Sequence, residues 1–234
     1  MKGRQVVIVG GTGSIGIAAA ELLASQGADV AITGLSEQKL LLASKRLVGS
    51  QAVQCDITKN ERVREVFSAF DRIDHVVVLA GSTAGGRIAD TPVATLRFVL
   101  EERIWGAVHV VQAAIAKMRA GSITLTSGLF AERPPESGAA VLVAALAGVE
   151  GLARALAREL APVRVNAISF GSVRSTRHRA MGDQQDAYYQ RVGSLLPVGR
   201  VGDPQEAAHA ILFTLANEYL TGEVLHLNGG ALLV

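Results

Sequence analysis

Short runs of β-branched and aliphatic residues alternate along this chain with longer stretches whose apolar positions recur every three or four residues. The run at 6–9 (VVIV) is apolar at every position, as expected of a strand covered on both faces. Similar runs predict strands at 29–33, 52–55, 75–79, 122–126, 163–168 and 224–227. Helical periodicity predicts helices at 15–26, closed by Gly27, and at 37–48, 60–70, 138–160 and 204–216, the last with Pro204 in its first turn. Residues 91–118 hold one long helix or two joined ones. Strand–helix alternation with apolar, non-alternating strands predicts a parallel sheet covered on both sides, and right-handed crossovers make it a doubly wound α/β fold. There is no internal repeat or linker, so a single domain over 1–234 is expected. The longest irregular stretch is 172–183, and a loop of that length in a compact domain is usually functional.

Composition narrows the classes. Of the 234 residues 49% are hydrophobic and 19% charged, which excludes disorder. The formal net charge of +2 is too small to argue for nucleic acid or an anionic membrane as partner. The single cysteine, Cys55, excludes an intramolecular disulfide and a Cys-rich zinc site, and no metal is expected. The apolar run at 5–9 is cut off by Gly10 and Gly11 too early for a signal peptide. The most apolar stretch, 138–149 between Glu136 and Glu150, is short of the roughly 20 residues a bilayer needs. The expected location is the cytoplasm.

The first strand runs into Gly10, Gly11, Thr12, Gly13, Ser14, Ile15 and Gly16, then into a helix. A strand–glycine turn–helix unit lets the backbone touch a pyrophosphate and turns free N–H groups on the anion. NAD or NADP is therefore the expected cofactor, a ligand-free glycine turn being the lesser alternative. The second strand ends in Thr33-Gly34-Leu35-Ser36, with no acid to select NAD and no arginine to hold a 2′-phosphate. Ser36 and Lys39 are candidate phosphate contacts, which tilts the reading to NADP and leaves NAD open.

These segments and several others resemble the short-chain dehydrogenase/reductase family over essentially the whole chain. The spacing Gly10-x-x-Gly13-x-x-Gly16 is closer to the family's extended and atypical branches. Cys55-Asp56-Ile57-Thr58 is similar to the segment after the third strand, whose Asp contacts the adenine. Arg164–Ile168 resembles the sixth strand, and the stretches 196–206 and 221–230 resemble the C-terminal signature. The resemblance implies a Rossmann fold and hydride transfer between a nicotinamide and a carbonyl or alcohol. Leu35 and Ser36, Asp56 and Ile57, Ala80 and Gly81, and Gly171 then join the glycine turn as cofactor-binding positions.

The chemistry the family implies rests on a Tyr whose acidity is raised by a Lys four residues later, with a Ser and an Asn. A phenol of pKa near 10 needs a nearby cation to act at neutral pH. Four residues after Tyr188, Tyr189 and Tyr219 stand Val192, Gly193 and Glu223, and no Lys follows Lys117. Counting back from Gly151-Leu152 puts Leu142 and Leu146 at the Tyr and Lys positions; counting forward from Gly121 puts Val141 and Ala145 there. Gly128 stands at the Ser position with Ser127 one residue early, and Arg103 at the Asn position. Val78-Leu79-Ala80-Gly81 keeps only the Ala and Gly of the segment after the fourth strand, and Phe170-Gly171 replaces Pro-Gly.

Ser127 and Arg103 are the candidate catalytic residues: Ser127 at the carboxyl edge of the sheet, Arg103 as a guanidinium for a substrate oxygen, or else an intrahelical ion pair or exposed charge. Arg174, Arg177, His178, Arg179 and Arg191 form a local basic cluster where the family covers its substrate. It suits an acidic substrate or a carrier-bound thioester, with His178 a candidate general acid, or is a solvated loop. Tyr188 and Tyr189 either close over a substrate or pack. The helix at 138–157 is apolar or small almost all round, which predicts burial on the sheet and on a second copy, in a homodimer or homotetramer. The apolar end, 231–234, would also seek a partner surface. Three functions stay open: an oxidoreductase with a non-standard site; a catalytically silent, cofactor-binding or structural homologue; and a cyclase, isomerase or lyase on the same scaffold.

Overall fold

The structure is a computed structural model that describes residues 1–83, 85–176, 181, 182 and 184–234. Its strands are β1 (Gln5–Val9), β2 (Asp29–Gly34), β3 (Gln51–Gln54), β4 (His75–Val78), β5 (Ser122–Gly128), β6 (Arg164–Phe170) and β7 (Val224–Leu227). They form one parallel sheet in the order β3-β2-β1-β4-β5-β6-β7, so the doubly wound expectation holds. The order reverses between β1 and β4, and ligands of such sheets bind in the crevice outside the strand ends at that point.

The helices are α1 (Ser14–Ser25), α2 (Glu37–Arg46), α3 (Asn60–Ser68), α4 (Val93–Leu100), α5 (Gly106–Ile115), α6 (Ala140–Glu159), α7 (Gln184–Ser194) and α8 (Pro204–Ala216). The apolar interiors of the strands feed two cores by simple alternation. Val7, Val9, Val76 and Val78 point to one, with Phe67, Val110 and Val149 of α3, α5 and α6. Val6, Ile8, Ile32 and Val77 point to the other, with Ile17, Leu23 and Ile211 of α1 and α8. The joined helices expected over 91–118 are α4 and α5, linked without a break by a π-helical turn, Glu101–Trp105. Such turns insert a residue into a helix and recur at functional sites.

Helix α6 is the helix expected over 138–160. The apolar run stops at Glu150, but the helix continues to Glu159, and its 20 residues are long and apolar enough to cross a membrane by length and composition. One side, including Leu142, Ala145, Leu146, Val149 and Ala153, is buried. The other, with Ala144, Ala147, Gly148 and Gly151, is exposed in the single chain.

At the opposite end of the sheet His75 is buried, its Nδ1 2.9 Å from the Ser122 hydroxyl. Burial pushes this imidazole down to about 4, opposed by Asp74 and reinforced by Arg164 and Arg4.

Candidate active site

A cavity of about 320 Å³ opens at the switch point. The glycine turn forms one wall. Gly10 has φ +80°, and a Cβ there would lie 2.5 Å from the Ala80 nitrogen, so β1 and the end of β4 touch through this glycine. A Cβ on Gly16 would lie 2.6 Å from Gly11 Cα, which is how α1 gets close to the strand. Gly13 differs: it is the N-cap of α1 with φ −80°, and a Cβ there would meet nothing within 4 Å. Among the described residues no side chain caps α1 and no acid sits in its first turn. A helix start without a side-chain cap, positive by its dipole and open above Gly13, fits a pyrophosphate.

Gly10, Gly13, Ser14, Ile15, Gly16, Gly81 and Gly171 all line this cavity. Thr12, Leu35, Ser36, Asp56, Ile57 and Ala80 do not. Thr12 lies beneath Gly34, whose Cβ would come 2.8 Å from the threonine methyl. Leu35 is exposed, and the Ser36 hydroxyl accepts the Lys39 N–H at 3.3 Å as the cap of α2. Asp56 folds its carboxylate back on Thr58 N and Oγ1, at 2.9 and 2.8 Å. Ile57 is buried against Gly106. Gly171 is also small for packing, since a Cβ there would lie 2.6 Å from Asn228 Cα.

The opposite wall comes from α6, the end of β5 and the π-turn. Leu142, Leu146, Ser127, Leu129, Phe130 and Arg103 line it. Leu142 and Leu146 are 2% and 4% exposed and belong to a small cluster with Val99, Ala139 and Ala145. Arg103 is buried, not an exposed charge, and reaches the loop after β4. Its Nη2 donates to the carbonyls of Ser82 and Gly81, at 2.7 and 3.2 Å, and its Nε to Ser82 at 3.1 Å. Glu102 accepts the Ser82 N–H at 3.0 Å, so the π-turn braces the loop after β4 from two consecutive residues. Among the described residues Arg103 is the one ionisable group on the cavity wall.

Ser127 donates into α6, to Glu150 Oε1 at 2.8 Å, with the Leu146 carbonyl 3.3 Å away. The sequence marked Glu150 only as the end of an apolar run; a lone carboxylate one turn beyond Leu146 on a buried helix face was the available signal. Ser172, Val173 and Ser175, from the loop after β6, complete the rim. The Ser14 hydroxyl there accepts the Thr176 N–H at 2.9 Å.

The basic cluster is only partly gathered. Arg174 lies 4.8 Å over the Tyr189 ring and 3.5 Å from both Asp186 and Asp203. Arg191 lies over Tyr188. Tyr189 is buried and its hydroxyl accepts the Ser175 N–H at 2.9 Å, so it packs and ties the loop. Arg177, His178 and Arg179 lie outside the described residues.

A doubly wound sheet with a bare glycine turn at its switch point defines a dinucleotide-binding α/β protein. A family model described as enoyl-(acyl carrier protein) reductase matches residues 10–231. The chain belongs to the short-chain dehydrogenase/reductase family of NAD(P)-dependent oxidoreductases. It is 31% identical over 247 residues to the 3-oxoacyl-[acyl-carrier-protein] reductase of Escherichia coli, covering 100% of this chain and 99% of that one. The solved structure of the MalC reductase/Diels-Alderase of Malbranchea aurantiaca superposes with a TM-score of 0.93 at 27% identity, over 100% and 98% of the two chains. A small-chain dehydrogenase solved in complex with NADPH gives a TM-score of 0.85 at 34% identity, over the whole of both chains.

Proposed function

We propose that this protein uses NADP(H), or NAD(H), to interconvert a small carbonyl and its alcohol at a reaction wall that lacks the family's Tyr and Lys. The bound nicotinamide would supply or take up the hydride. Gly13 and the amides of Ser14, Ile15 and Gly16 would hold the pyrophosphate, with Leu35 and Ser36 near the ribose and Asp56 and Ile57 near the adenine. Leu142 and Leu146 exclude water from the reacting face, Ser127 meets the substrate oxygen, and Arg103 fixes the loop at Gly81 that borders it. One observation carries this reading: a single cavity joins the open helix start at Gly13 to Ser127. The relative solved with NADPH and the absence of an acid after β2 support NADP. The 3-oxoacyl reductase relatives support a carrier-bound thioester as substrate. The small-residue face of α6 supports a homodimer or homotetramer, and the cytoplasm is the proposed location.

Titration with NADPH and NADH, followed by fluorescence and thermal shift, tests the cofactor; binding of neither overturns the proposal. Reduction of a ketone and 3-oxoacyl-thioester panel, followed at the nicotinamide absorbance, tests turnover. The apolar wall of Leu129, Phe130, Leu142 and Leu146, and the reductase/Diels-Alderase relative, favour a second reading: a cyclisation guided by shape. That enzyme would convert its substrate with no change in nicotinamide absorbance.

A further inference from the structure

We propose that Glu150 is a positioning residue for the reaction wall, acting through Ser127 as the inner end of a two-link proton path. The proposal rests on the redox reading above and adds a residue and a direction of proton flow to it.

Glu150 is 5% exposed, on the helix face that otherwise carries Leu142, Leu146, Val149 and Ala153. An ionised carboxylate in such a place is costly unless it is paired. Arg154, one turn on, is its one ionic neighbour among the described residues; it lies 4.0 Å away with its side chain 58% exposed. An exposed cation at that distance compensates little. The close partner is Ser127, 2.8 Å away and itself on the cavity wall. A structural position on this face needs only an apolar residue, as its neighbours show.

A serine hydroxyl has one hydrogen and two lone pairs. Both acceptors beside Ser127, Glu150 Oε1 and the Leu146 carbonyl, lie on α6 and draw the hydrogen away from the cavity. The lone pairs are left for the cavity, where they accept a hydrogen bond from a substrate hydroxyl. In alcohol oxidation the substrate C–H bond breaks, and a bound oxidised nicotinamide would supply the hydride acceptor. The substrate O–H proton passes to Ser127 Oγ as the serine's own hydrogen passes to Glu150. The products are a ketone, reduced cofactor, an unchanged serine and a neutral Glu150. Carbonyl reduction reverses each transfer, with Glu150 starting protonated.

The variants are Glu150→Gln, which keeps an acceptor for Ser127 but cannot take its proton, Ser127→Ala and the double substitution. In the protein without cofactor, the Glu150 carboxyl band is followed by infrared difference spectroscopy across pH, and Ser127→Ala is expected to move its midpoint. In NADP-linked oxidation of a secondary-alcohol panel, each single variant is expected to lose about 100-fold in kcat. Cofactor affinity should stay within about twofold, and the double variant should be no worse than the worse single one. Glu150→Gln should also lose the acid limb of the kcat profile. An unmoved infrared midpoint, or full kcat with the acid limb intact in Glu150→Gln, overturns the proposal. If the wild-type protein binds cofactor but oxidises no alcohol, the redox reading falls, while the infrared midpoint still judges the Ser127–Glu150 link by itself.

Discussion

Adding one methyl group to Gly13 or to Gly16 separates the glycine kept for a ligand from the glycine kept for packing. At Gly16 a Cβ would sit 2.6 Å from Gly11 Cα and from its carbonyl oxygen. Backbone on both sides must shift, and overpacking of this kind costs about 1–3 kcal/mol. For a chain of this size that is a fall in Tm of roughly 2 to 10 °C. At Gly13 φ is −80° and a Cβ would meet nothing within 4 Å. Alanine there gains about 0.4–1 kcal/mol by restricting the unfolded chain. It loses a similar amount, about 0.5–1 kcal/mol, as a poorer N-cap than glycine. The terms cancel, so Gly13→Ala should melt within about 2 °C of wild type. The methyl would instead stand where the diphosphate meets the α1 amides. Losing one charge-assisted hydrogen bond, about 1.5–3 kcal/mol, weakens NADPH binding roughly 10- to 100-fold. Scanning fluorimetry with and without NADPH, beside a fluorescence titration, reads both quantities. Wild-type affinity in Gly13→Ala, or a melting loss equal to that of Gly16→Ala, refutes the assignment of this turn.

Leu142→Tyr with Leu146→Lys should give weak reduction of simple ketones in an NADPH absorbance assay. Silence of this variant despite cofactor binding would show that the scaffold does not align hydride and carbonyl. Arg103→Lys should lower stability by about 1–3 kcal/mol in urea unfolding, since an ammonium cannot reproduce the fork on Gly81 and Ser82. His75 is neutral in the fold, and its contribution is complete above its unfolded value of about 6.5 and falls as pH drops towards about 4. About 3 kcal/mol is lost over that window, so the fall in Tm between pH 7 and 4.5 should be smaller in His75→Gln.

The architecture was legible because a strand buried on both faces must be apolar at every position, which 6–9 and 76–79 satisfy without help from distant residues. The glycine turn was legible for a related reason: close backbone approach excludes a Cβ, and only glycine records that exclusion. The π-turn was not legible, because a shift in backbone hydrogen bonding leaves the apolar spacing of 91–118 nearly unchanged. Arg103 read as a charge beside Glu101 and Glu102, since its acceptors are carbonyls of a loop 21 and 22 residues earlier, which carry no side-chain signature. Ser127 and Glu150 stand 23 positions apart and meet only because α6 folds back over β5. A charge that ends an apolar run on paper can thus lie inside the protein, as Glu150 does.

The insertion at Glu101–Trp105 sets the phase between α4 and α5. Excising a single residue there would restore ordinary winding and swing everything upstream by about 100° relative to α5. The guanidinium that steadies the rim is indexed by chain length as much as by residue type. Descendants of this chain could retune that rim by losing or gaining one codon in the segment, a route that position-by-position mutagenesis would never sample.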